Sequence, residues 1–323
     1  MNPAHGKILV IRGGAIGDFI LTLPAIAALR QQFPETHLEV LGYPHIVQLA
    51  LAGGLADRVQ SIEARALAGF FARNGELEPD LADYFSEFDI IISYLYDPDR
   101  IFQTNIQRCS PAQFIAGPHR PDEVEKIHAA RVFLRPLQRL AIFDADPVPR
   151  LRVEPHPALV TTRAEHEPAN AASDQPPVFT LALHPGSGSE KKNWPETRWA
   201  MLLRHLVHFT AANLLLVGGE AELERLQRLA AALPPTRTRV ARSLALPELA
   251  RLLQPCSAFV GHDSGISHLC AALGLPGLVL WGDSTEEVWR PPHDNVAILK
   301  SRGGLKAITV EQVTGELERL LPR

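Results

Sequence analysis

Cysteine is scarce in this chain, and the spacing of the cysteines argues against a CxxC site and against a disulfide framework. The 323 residues include only three cysteines, at positions 109, 256 and 270. They form no CxxC pair and are too few for a disulfide framework, which is typical of a reducing compartment.

A basic excess is also absent, since the formal net charge is −4. A protein that follows nucleic-acid phosphates needs such an excess, so we expect no nucleic-acid partner.

Long apolar runs are missing as well. No stretch approaches the roughly 18 apolar residues that cross a bilayer. The first residues lead almost directly into a strand pattern at Lys7, with no signal-peptide core. We therefore expect a soluble, cytoplasmic protein, for which contact with a membrane surface stays open.

What the sequence does contain is a repeated alternation of short apolar strands and amphipathic helices. This alternation predicts α/β architecture, with doubly wound parallel sheets covered on both faces. It breaks at 154–177, a stretch rich in proline, alanine and glutamate that predicts a linker. The length also favours two domains, which we place at 1–165 and 166–323. Strands are predicted at 7–12, 37–41, 88–95, 178–183, 213–217, 258–260 and 278–281, and helices at 18–33, 129–140, 195–209, 221–233, 246–253, 266–273 and 309–320.

The first strand runs into a glycine-rich turn that ends at Asp18 (IRGGAIGD, 11–18). Gly13, Gly14 and Gly17 permit the close approach of a ligand or of another backbone segment. Asp18 has two compatible interpretations: a first-turn carboxylate that satisfies free helical N–H groups, or a general base. The turn does not have the G-x-G-x-x-G order, so the dinucleotide-binding fingerprint is not met.

A second strand-to-helix junction spans 184–195 (HPGSGSEKKNWP). Ser187, Gly188 and Ser189 offer hydroxyl and backbone donors, and Lys192 adds a positive charge. This combination predicts a diphosphate site, although its order is not that of a P-loop. A solvated basic turn is the alternative.

A third junction, at 259–268 (FVGHDSGISH), also joins a strand to a helix. Free N–H groups at such a helix start favour an anion-binding turn. The alternative is that Asp263 caps the helix. A metal site is not expected, because His262 and His268 do not share a helix face, and Ser264 stands one residue late for a hydrolase elbow. The candidate residues here are Asp263, Ser264, Gly265 and His268.

Two more strand ends carry polar residues. Glu220 and Glu222 follow the strand at 213–217 and suit either ribose hydroxyls or the start of a helix. The turn at 281–285 (WGDST) lies at another strand end near the same edge.

Four segments, taken in order, resemble glycosyltransferase family 9, the ADP-heptose:lipopolysaccharide heptosyltransferases. They are 11–30, 184–195, 214–222 and 259–285. The resemblance implies a GT-B fold, in which two Rossmann-like doubly wound parallel-sheet domains face each other across a cleft. The nucleotide-sugar donor would sit on the C-terminal domain and the acceptor on the N-terminal one, and the last helix could pack back on the N-terminal domain.

The family pattern also implies roles for individual residues. Asp18 resembles the general base, and Lys192 resembles the lysine that holds the donor phosphates. Glu220 or Glu222 is similar to the ribose-contacting acid, with the register open by two residues, and Leu244 would offer backbone hydrogen bonds to adenine. The diphosphate would lie among Ser187, Gly188, Ser189, Lys192, Asp263, Ser264, Gly265 and His268, and Gly13, Gly14 and Gly17 would form the acceptor-side loop.

The activity implied is an inverting transfer of a heptose-type sugar from an ADP-sugar to a lipopolysaccharide-core or related glycan, without metal or cofactor. A nucleotide-sugar epimerase and a non-catalytic nucleotide-sugar-binding protein are the alternatives. The first loop carries Ala15 and Ile16 where the family often has serine, which leaves the donor sugar and the acceptor open. Contact with the cytoplasmic face of the inner membrane would involve a basic face, unless that face is a solvated mixed surface. Its residues are Arg100, Arg108, His119, Arg120, Lys126, Arg131 and Arg135.

Overall fold

The structure, a computed structural model, describes residues 6–154 and 179–320. Its contacts divide the chain into two units, Met1–Arg152 and Val153–Arg323. The linker predicted at 154–177 lies outside the described residues except for Glu154. No helix within 6–154 or 179–320 combines the length and the apolar character that crossing a membrane requires.

A five-stranded parallel sheet forms the centre of the first unit. The strand order is β3-β2-β1-β4-β5, and every pairing is parallel. The strands are β1 (Lys7–Arg12), β2 (His37–Gly42), β3 (Arg58–Ser61), β4 (Ile90–Ser93) and β5 (Gln113–Ala116). The helices are α1 (Ile16–Ile20), α2 (Leu23–Gln32), α3 (Pro44–Ala52), α4 (Pro79–Ser86), α5 (Ile101–Cys109) and α6 (Ala129–Leu134), with 3₁₀ helices at Arg65–Phe71 and Arg135–Leu140.

The helix predicted at 18–33 is two helices in the structure. α1 ends at Ile20, and α2 begins at Leu23 with Pro24 in its first turn. Proline lacks the N–H donor and crowds the preceding turn, so it is tolerated at the start of a helix and not inside one. Asp18 therefore lies in a short helix of its own, directly after the carboxyl end of β1.

A six-stranded parallel sheet forms the centre of the second unit. The strand order is β11-β10-β9-β6-β7-β8, and again every pairing is parallel. The strands are β6 (Thr180–Leu183), β7 (Asn213–Gly218), β8 (Thr238–Arg242), β9 (Ala258–His262), β10 (Gly277–Trp281) and β11 (Val296–Lys300). The helices are α7 (Glu196–Phe209), α8 (Leu223–Ala231), α9 (Leu246–Leu253), α10 (Gly265–Ala272), α11 (Glu286–Trp289) and α12 (Val310–Leu320), with 3₁₀ helices at Glu190–Lys192, Glu220–Glu222 and Leu305–Ala307.

The last helix, α12, packs against α7 and β10. Its buried residues Val310, Val313 and Leu317 join the core of the second unit. Trp194 and Trp199 belong to the same core and meet edge to face, with their ring centroids 5.5 Å apart. A fully buried aliphatic side chain such as that of Val313 or Leu317 contributes about 1.5–3 kcal/mol to the stability of the fold.

The direction of winding reverses once in each sheet. After β3 the chain returns to the other side of β1, and after β8 it returns to the other side of β6. The loops that follow the two strands at a reversal leave toward opposite faces, which opens a crevice at their carboxyl ends. These crevices lie beyond β1 and β4 in the first unit and beyond β6 and β9 in the second, where the first three junctions are found.

Candidate functional site

The loop after β6 is tied to the end of β9 by one histidine. His262, the last residue of β9, is fully buried. Its Nε2 accepts a hydrogen bond from the Trp194 N–H at 2.9 Å, and its Nδ1 lies 3.0 Å from the Gly186 carbonyl oxygen. Because the peptide partners are a donor and an acceptor, the ring must be the neutral Nδ1–H tautomer. Burial lowers the pKa of His262 to about 3, consistent with a neutral ring.

Lys192 and Asp263 come together from the second and third junctions. The Lys192 Nζ lies 2.6 Å from Asp263 Oδ2, and the Ser284 hydroxyl donates to the same oxygen. The Asp263 side chain is buried, whereas that of Lys192 is 44% exposed. An ammonium group has three N–H donors, so Lys192 can hold Asp263 and still donate to a further anion.

The helix after the third junction is capped by Ser264, not by Asp263. Ser264 Oγ accepts from the Ser267 N–H at 3.4 Å, and Gly265 is the first residue of α10. The interpretation of Asp263 as an N-cap is therefore wrong, because its carboxylate is turned to Lys192 and Ser284. The hydroxyl of Ser264 also lies 3.2 Å from His184 Nδ1.

Two histidines of this region are buried in the second unit. His184, directly after β6, has its pKa lowered to about 4 by burial, so it is neutral at pH 7. His268, in the second turn of α10, is also buried, at 5% exposure. Neither side chain is therefore exposed on the surface of the second unit.

Glu222 binds the loop after β6 through its carboxylate. Its Oε1 accepts from the Gly188 N–H at 3.0 Å, and its Oε2 accepts from the Gly219 N–H at 2.9 Å. The glycine at 186 is required by this packing, since a Cβ there would stand 2.1 Å from Glu222 Cγ. Glu220, by contrast, is exposed. Both acids stay candidates for the contact with the ribose. They differ because both carboxylate oxygens of Glu222 already accept hydrogen bonds from backbone N–H groups.

The tip of the loop is exposed and internally bonded. Ser187 Oγ lies 2.7 Å from Asn193 Oδ1 and 2.8 Å from the Ser189 carbonyl oxygen. Gly188 adopts φ +71°, a left-handed conformation that favours glycine. Arg225 binds both carboxylate oxygens of Glu190 at 2.9 Å.

Leu244, the candidate adenine contact, lies apart from these bonds. It is half-buried between β8 and α9 and follows Ser243, whose φ is +48°. Positive φ at a residue other than glycine is uncommon and marks a constrained turn. The role of Leu244 stays a prediction.

In the first unit, Asp18 both organises its own turn and keeps an exposed face. Its Oδ2 accepts from the Ala15 N–H at 3.0 Å, which fulfils the first-turn interpretation. The side chain is nevertheless 26% exposed, so the general-base interpretation stays open. Gly14 adopts φ +98°, and a Cβ there would stand 2.9 Å from Asp18 Oδ2. Gly13 and Gly17 flank this point on either side.

A buried arginine lies behind Asp18. Arg12, the last residue of β1, is 2% exposed, and its Nη2 lies 3.6 Å from Asp18 Oδ1. Its Nη1 donates to the carbonyls of His119 at 2.8 Å and Tyr94 at 3.3 Å, and the Phe133 ring lies 4.5 Å from its Cζ. Burial lowers the pKa of Arg12, yet the group stays a cation at neutral pH. Its Nε and Nη2 find no hydrogen-bond partner within the described residues.

The residues of the predicted basic face are interleaved with acids. Arg120 lies 2.7 Å from Glu123, and Arg135 lies 3.2 Å from Glu125. Arg108 donates to the Gly75 carbonyl and to Asn105. This arrangement favours the mixed-surface interpretation for that part of the face.

Several residues predicted from sequence in the second unit are in contact: Lys192 binds Asp263, and Gly188 binds Glu222. Ser284 and His184, which were not predicted, contact Asp263 and Ser264 respectively. Among residues 6–154 and 179–320, no group of three or more metal-ligating side chains converges. Sequence reasoning gave no role to Arg12, His184, His262 or Ser284. A charged or imidazole side chain at the end of an otherwise apolar strand is the signal that marks Arg12 and His262.

The two parallel sheets and their crevices are those of a two-domain protein of the doubly wound α/β class. Polar side chains lie at the point where the winding of each sheet reverses. The chain belongs to glycosyltransferase family 9: the family model described as Glycosyltransferase family 9 (heptosyltransferase) matches residues 152–316, just over half of the sequence. It is therefore a glycosyltransferase, and its two parallel-sheet domains are those of the GT-B fold, as the sequence resemblance predicted.

Over most of their length, the relatives of this chain have a low sequence identity to it and a closely similar fold. Lipopolysaccharide heptosyltransferase 3 of Escherichia coli is 21% identical over 299 residues, which span 87% of this chain and 84% of that protein. A family 9 glycosyl transferase structure from Veillonella parvula superposes with a TM-score of 0.77 at 21% identity, covering 99% of this chain and 98% of that one. The E. coli heptosyltransferase WaaC with ADP-2-deoxy-2-fluoro heptose gives 0.68 at 19% identity, covering 97% and 99%.

Proposed function

We propose that this glycosyltransferase moves a heptose-type sugar from an ADP-sugar donor to a lipopolysaccharide-core or related glycan acceptor, with inversion at the anomeric carbon. The observation that carries the proposal is the Lys192–Asp263 pair at the winding reversal of the second sheet. The names of the relatives support the sugar and the acceptor class, because one is a lipopolysaccharide heptosyltransferase and another was solved with an ADP-heptose analogue.

The donor diphosphate would bind to Lys192 and to the start of α10. Lys192 retains N–H donors beyond the one given to Asp263, and its side chain is accessible. The first N–H groups of α10 have no partner within the helix and suit an anion. The N–H of Gly188 is already held by Glu222, so the tip of the loop would contribute mainly the hydroxyls of Ser187 and Ser189, and the single Ser187 proton would turn to the diphosphate from its bond inside the loop.

Asp18 would act as the general base. An acceptor hydroxyl attacks the anomeric carbon, its proton passes to the Asp18 carboxylate, and the bond from that carbon to the diphosphate oxygen breaks. The electron pair leaves with ADP. Lys192 and the start of α10 would stabilise the charge that develops on the leaving group, which fixed dipoles and charges do at little reorganisation cost. The proposal requires neither a metal ion nor another cofactor.

Transfer assays on two variants test the proposal. With an ADP-heptose donor and a core-oligosaccharide acceptor, Asp18→Asn should retain ADP binding and lose about 10²-fold or more in turnover, the usual worth of a general base. Lys192→Ala should weaken ADP binding by about 10-fold or more, since it removes a charge-assisted hydrogen bond. Unchanged turnover in the first variant or unchanged binding in the second would remove that residue from its role.

The wild-type enzyme tests the remaining elements. NMR of the product should show the anomeric configuration inverted relative to the donor, and EDTA should leave the rate unchanged. Conversion of donor without acceptor would indicate an epimerase, and binding without any turnover would indicate a binding protein. Thermal shift with a panel of nucleotide sugars identifies the donor. Co-sedimentation with anionic vesicles tests the membrane contact expected for a lipid-linked acceptor.

A further inference from the structure

His262 joins two points that enclose most of the candidate phosphate loop. Its two ring nitrogens bind the Gly186 carbonyl and the Trp194 N–H, which lie 76 and 68 positions away in the sequence. Ser187 and Lys192 lie between these two points. One side chain therefore fixes both ends of the segment that carries the candidate donor contacts.

We propose that His262 is a positioning residue for the donor: it holds the loop in the conformation that presents Lys192 and Ser187 to the diphosphate. The inference rests on the proposed donor site. His262 does not touch the donor in this proposal, because its ring is fully buried and both of its nitrogens are engaged by the loop.

The chemistry of the position is specific to a neutral histidine. The peptide partners require one donor and one acceptor, a ring width apart, which lysine and arginine cannot supply because they only donate. The Trp199 ring packs edge to face on the imidazole, with centroids 5.6 Å apart, and fixes its plane. Since burial keeps the ring neutral, both bonds persist across the pH range in which an enzyme assay is run.

The remaining bonds of the loop do not replace those of His262. Glu222 holds the Gly188 N–H from outside the segment, and Ser187 contacts Asn193 inside it, but neither bond reaches Gly186 or Trp194 at the ends of the loop. The Lys192–Asp263 pair fixes a side chain that is 44% exposed, so solvent screens it. The buried hydrogen bonds of His262 therefore tie both ends of the loop to β9, beside the bonds from the Trp194 indole to the Ile308 carbonyl and from Arg225 to the Pro185 carbonyl.

Two substitutions separate the two bonds. In His262→Asn the amide nitrogen stands near the position of Nδ1 and can still donate to Gly186, whereas in His262→Gln the amide oxygen can reach the position of Nε2 and accept from Trp194. His262→Phe removes both bonds and keeps a planar ring. Each lost bond should raise the dissociation constant for ADP by about 3–10-fold, and the loss of both by about 10–100-fold.

The experiment measures ADP binding by calorimetry and kcat and donor KM by transfer assay, on the full chain. We expect the donor KM to rise with the ADP dissociation constant, and any fall in kcat to accompany that rise, because the displaced loop carries Lys192, which in the proposed mechanism also stabilises the leaving group. His208→Asn, at an exposed position of α7, is the matched control and should leave both constants unchanged. Nitrogen NMR of the wild-type imidazole should show the Nδ1–H tautomer.

Three results would overturn the inference: the Nε2–H tautomer in the wild type, ADP binding in the asparagine and glutamine variants equal to that of the wild type, or loss of kcat with an unchanged donor KM. The first result needs no variant, so it stands even if the phenylalanine variant does not fold. If the wild type itself fails to bind ADP and to transfer sugar, the proposed function fails, and the tautomer then shows only that His262 shapes the loop.

Discussion

Replacing Asp18 by asparagine removes more than a candidate base. Among the described residues, Asp18 is the only carboxylate paired with the buried guanidinium of Arg12. At a separation of 3.6 Å, two unit charges interact by about 5 kcal/mol at an effective dielectric of 20 and by about 1 kcal/mol in bulk water. Because Asp18 is partly exposed, we expect a coupling energy of about 1–3 kcal/mol between the two side chains.

A double-mutant cycle measures this coupling. Wild type, Arg12→Met, Asp18→Asn and the double variant are unfolded in urea and followed by far-UV circular dichroism. Asp18→Asn alone leaves a buried cation without its partner, so Arg12→Met should cost less stability in the Asp18→Asn background than in the wild type, although the Arg12 bonds to the His119 and Tyr94 carbonyls are lost in both backgrounds. Turnover should stay lost in the double variant if Asp18 is the base. Glu87→Gln, which removes an exposed ion pair with Lys7 on the same sheet, should change stability little.

This cycle separates the two effects of the substitution. A favourable coupling energy, together with turnover that stays lost after the buried cation is removed as well, assigns the loss of activity to the missing carboxylate. A coupling energy below about 0.5 kcal/mol would refute the reasoning, since solvent would then screen the pair as fully as a surface ion pair.

Three further predictions concern the second unit. His184 and His262 have folded pKa values of about 4 and 3 against an ordinary 6.5, so the unfolded chain binds more protons below pH 6.5. Stability should fall as the pH drops from 6.5 to 4, by about 1.4 kcal/mol per pH unit for each histidine; a flat melting temperature over that range would contradict this. Gly186→Ala should displace Glu222 and weaken ADP binding, whereas unchanged binding would show that the loop adjusts freely. Glu222→Gln puts an N–H against a backbone N–H and should cost about 1–3 kcal/mol of stability, whereas Glu220→Gln, at an exposed position, should leave stability unchanged. If only Glu220→Gln impairs ADP binding, the exposed acid is the ribose contact.

The interior of both sheets was predictable from sequence. β1 and α9 have the predicted bounds, and β2, β7, β9 and β10 differ from theirs by at most two residues at either end. Central parallel strands are covered on both faces, so they are short continuous apolar runs that stand out from their surroundings. β4 is shorter than predicted, at four residues, because the apolar pattern continues past Ser93 into Tyr94, which is buried and still donates its N–H to the Ile11 carbonyl but lies beyond the last paired position of the strand.

The edges of both sheets were not predictable in the same way. The four strands that no apolar run indicated are β3, β5, β8 and β11, and each is an edge strand of its sheet. β8 illustrates the reason: its sequence TRVAR has three residues that are exposed and one that is half-buried. An edge strand is bonded on one side only and borders solvent, so charged side chains are compatible with it and the periodic apolar signal disappears.

The site shows a comparable division, set by sequence separation. Motifs placed Lys192, Asp263 and Ser264 at strand ends, and the sheet order then brings those ends together, because parallel strands end at the same edge. The hydrogen bonds that hold the loops were not visible, since Arg12 binds the carbonyl of His119 across 107 positions and His262 binds Trp194 across 68. Their partners are backbone groups, which every residue has, so no residue type at the far end marks the contact.

This difference explains why the two buried side chains behind the candidate site escape motif reasoning while their exposed neighbours do not. A side chain that touches a substrate is constrained by chemistry, and its type can be compared with the reaction. A side chain that holds a loop is constrained by the position of two peptide groups, and its type cannot be compared with any reaction. Only the geometry shows that Arg12 meets two carbonyls and a carboxylate, and that His262 meets one donor and one acceptor. If the cycle on Arg12 and Asp18 and the asparagine–glutamine pair at 262 both give the expected results, the base and the donor loop depend on support from the last residue of a central strand, once in each unit.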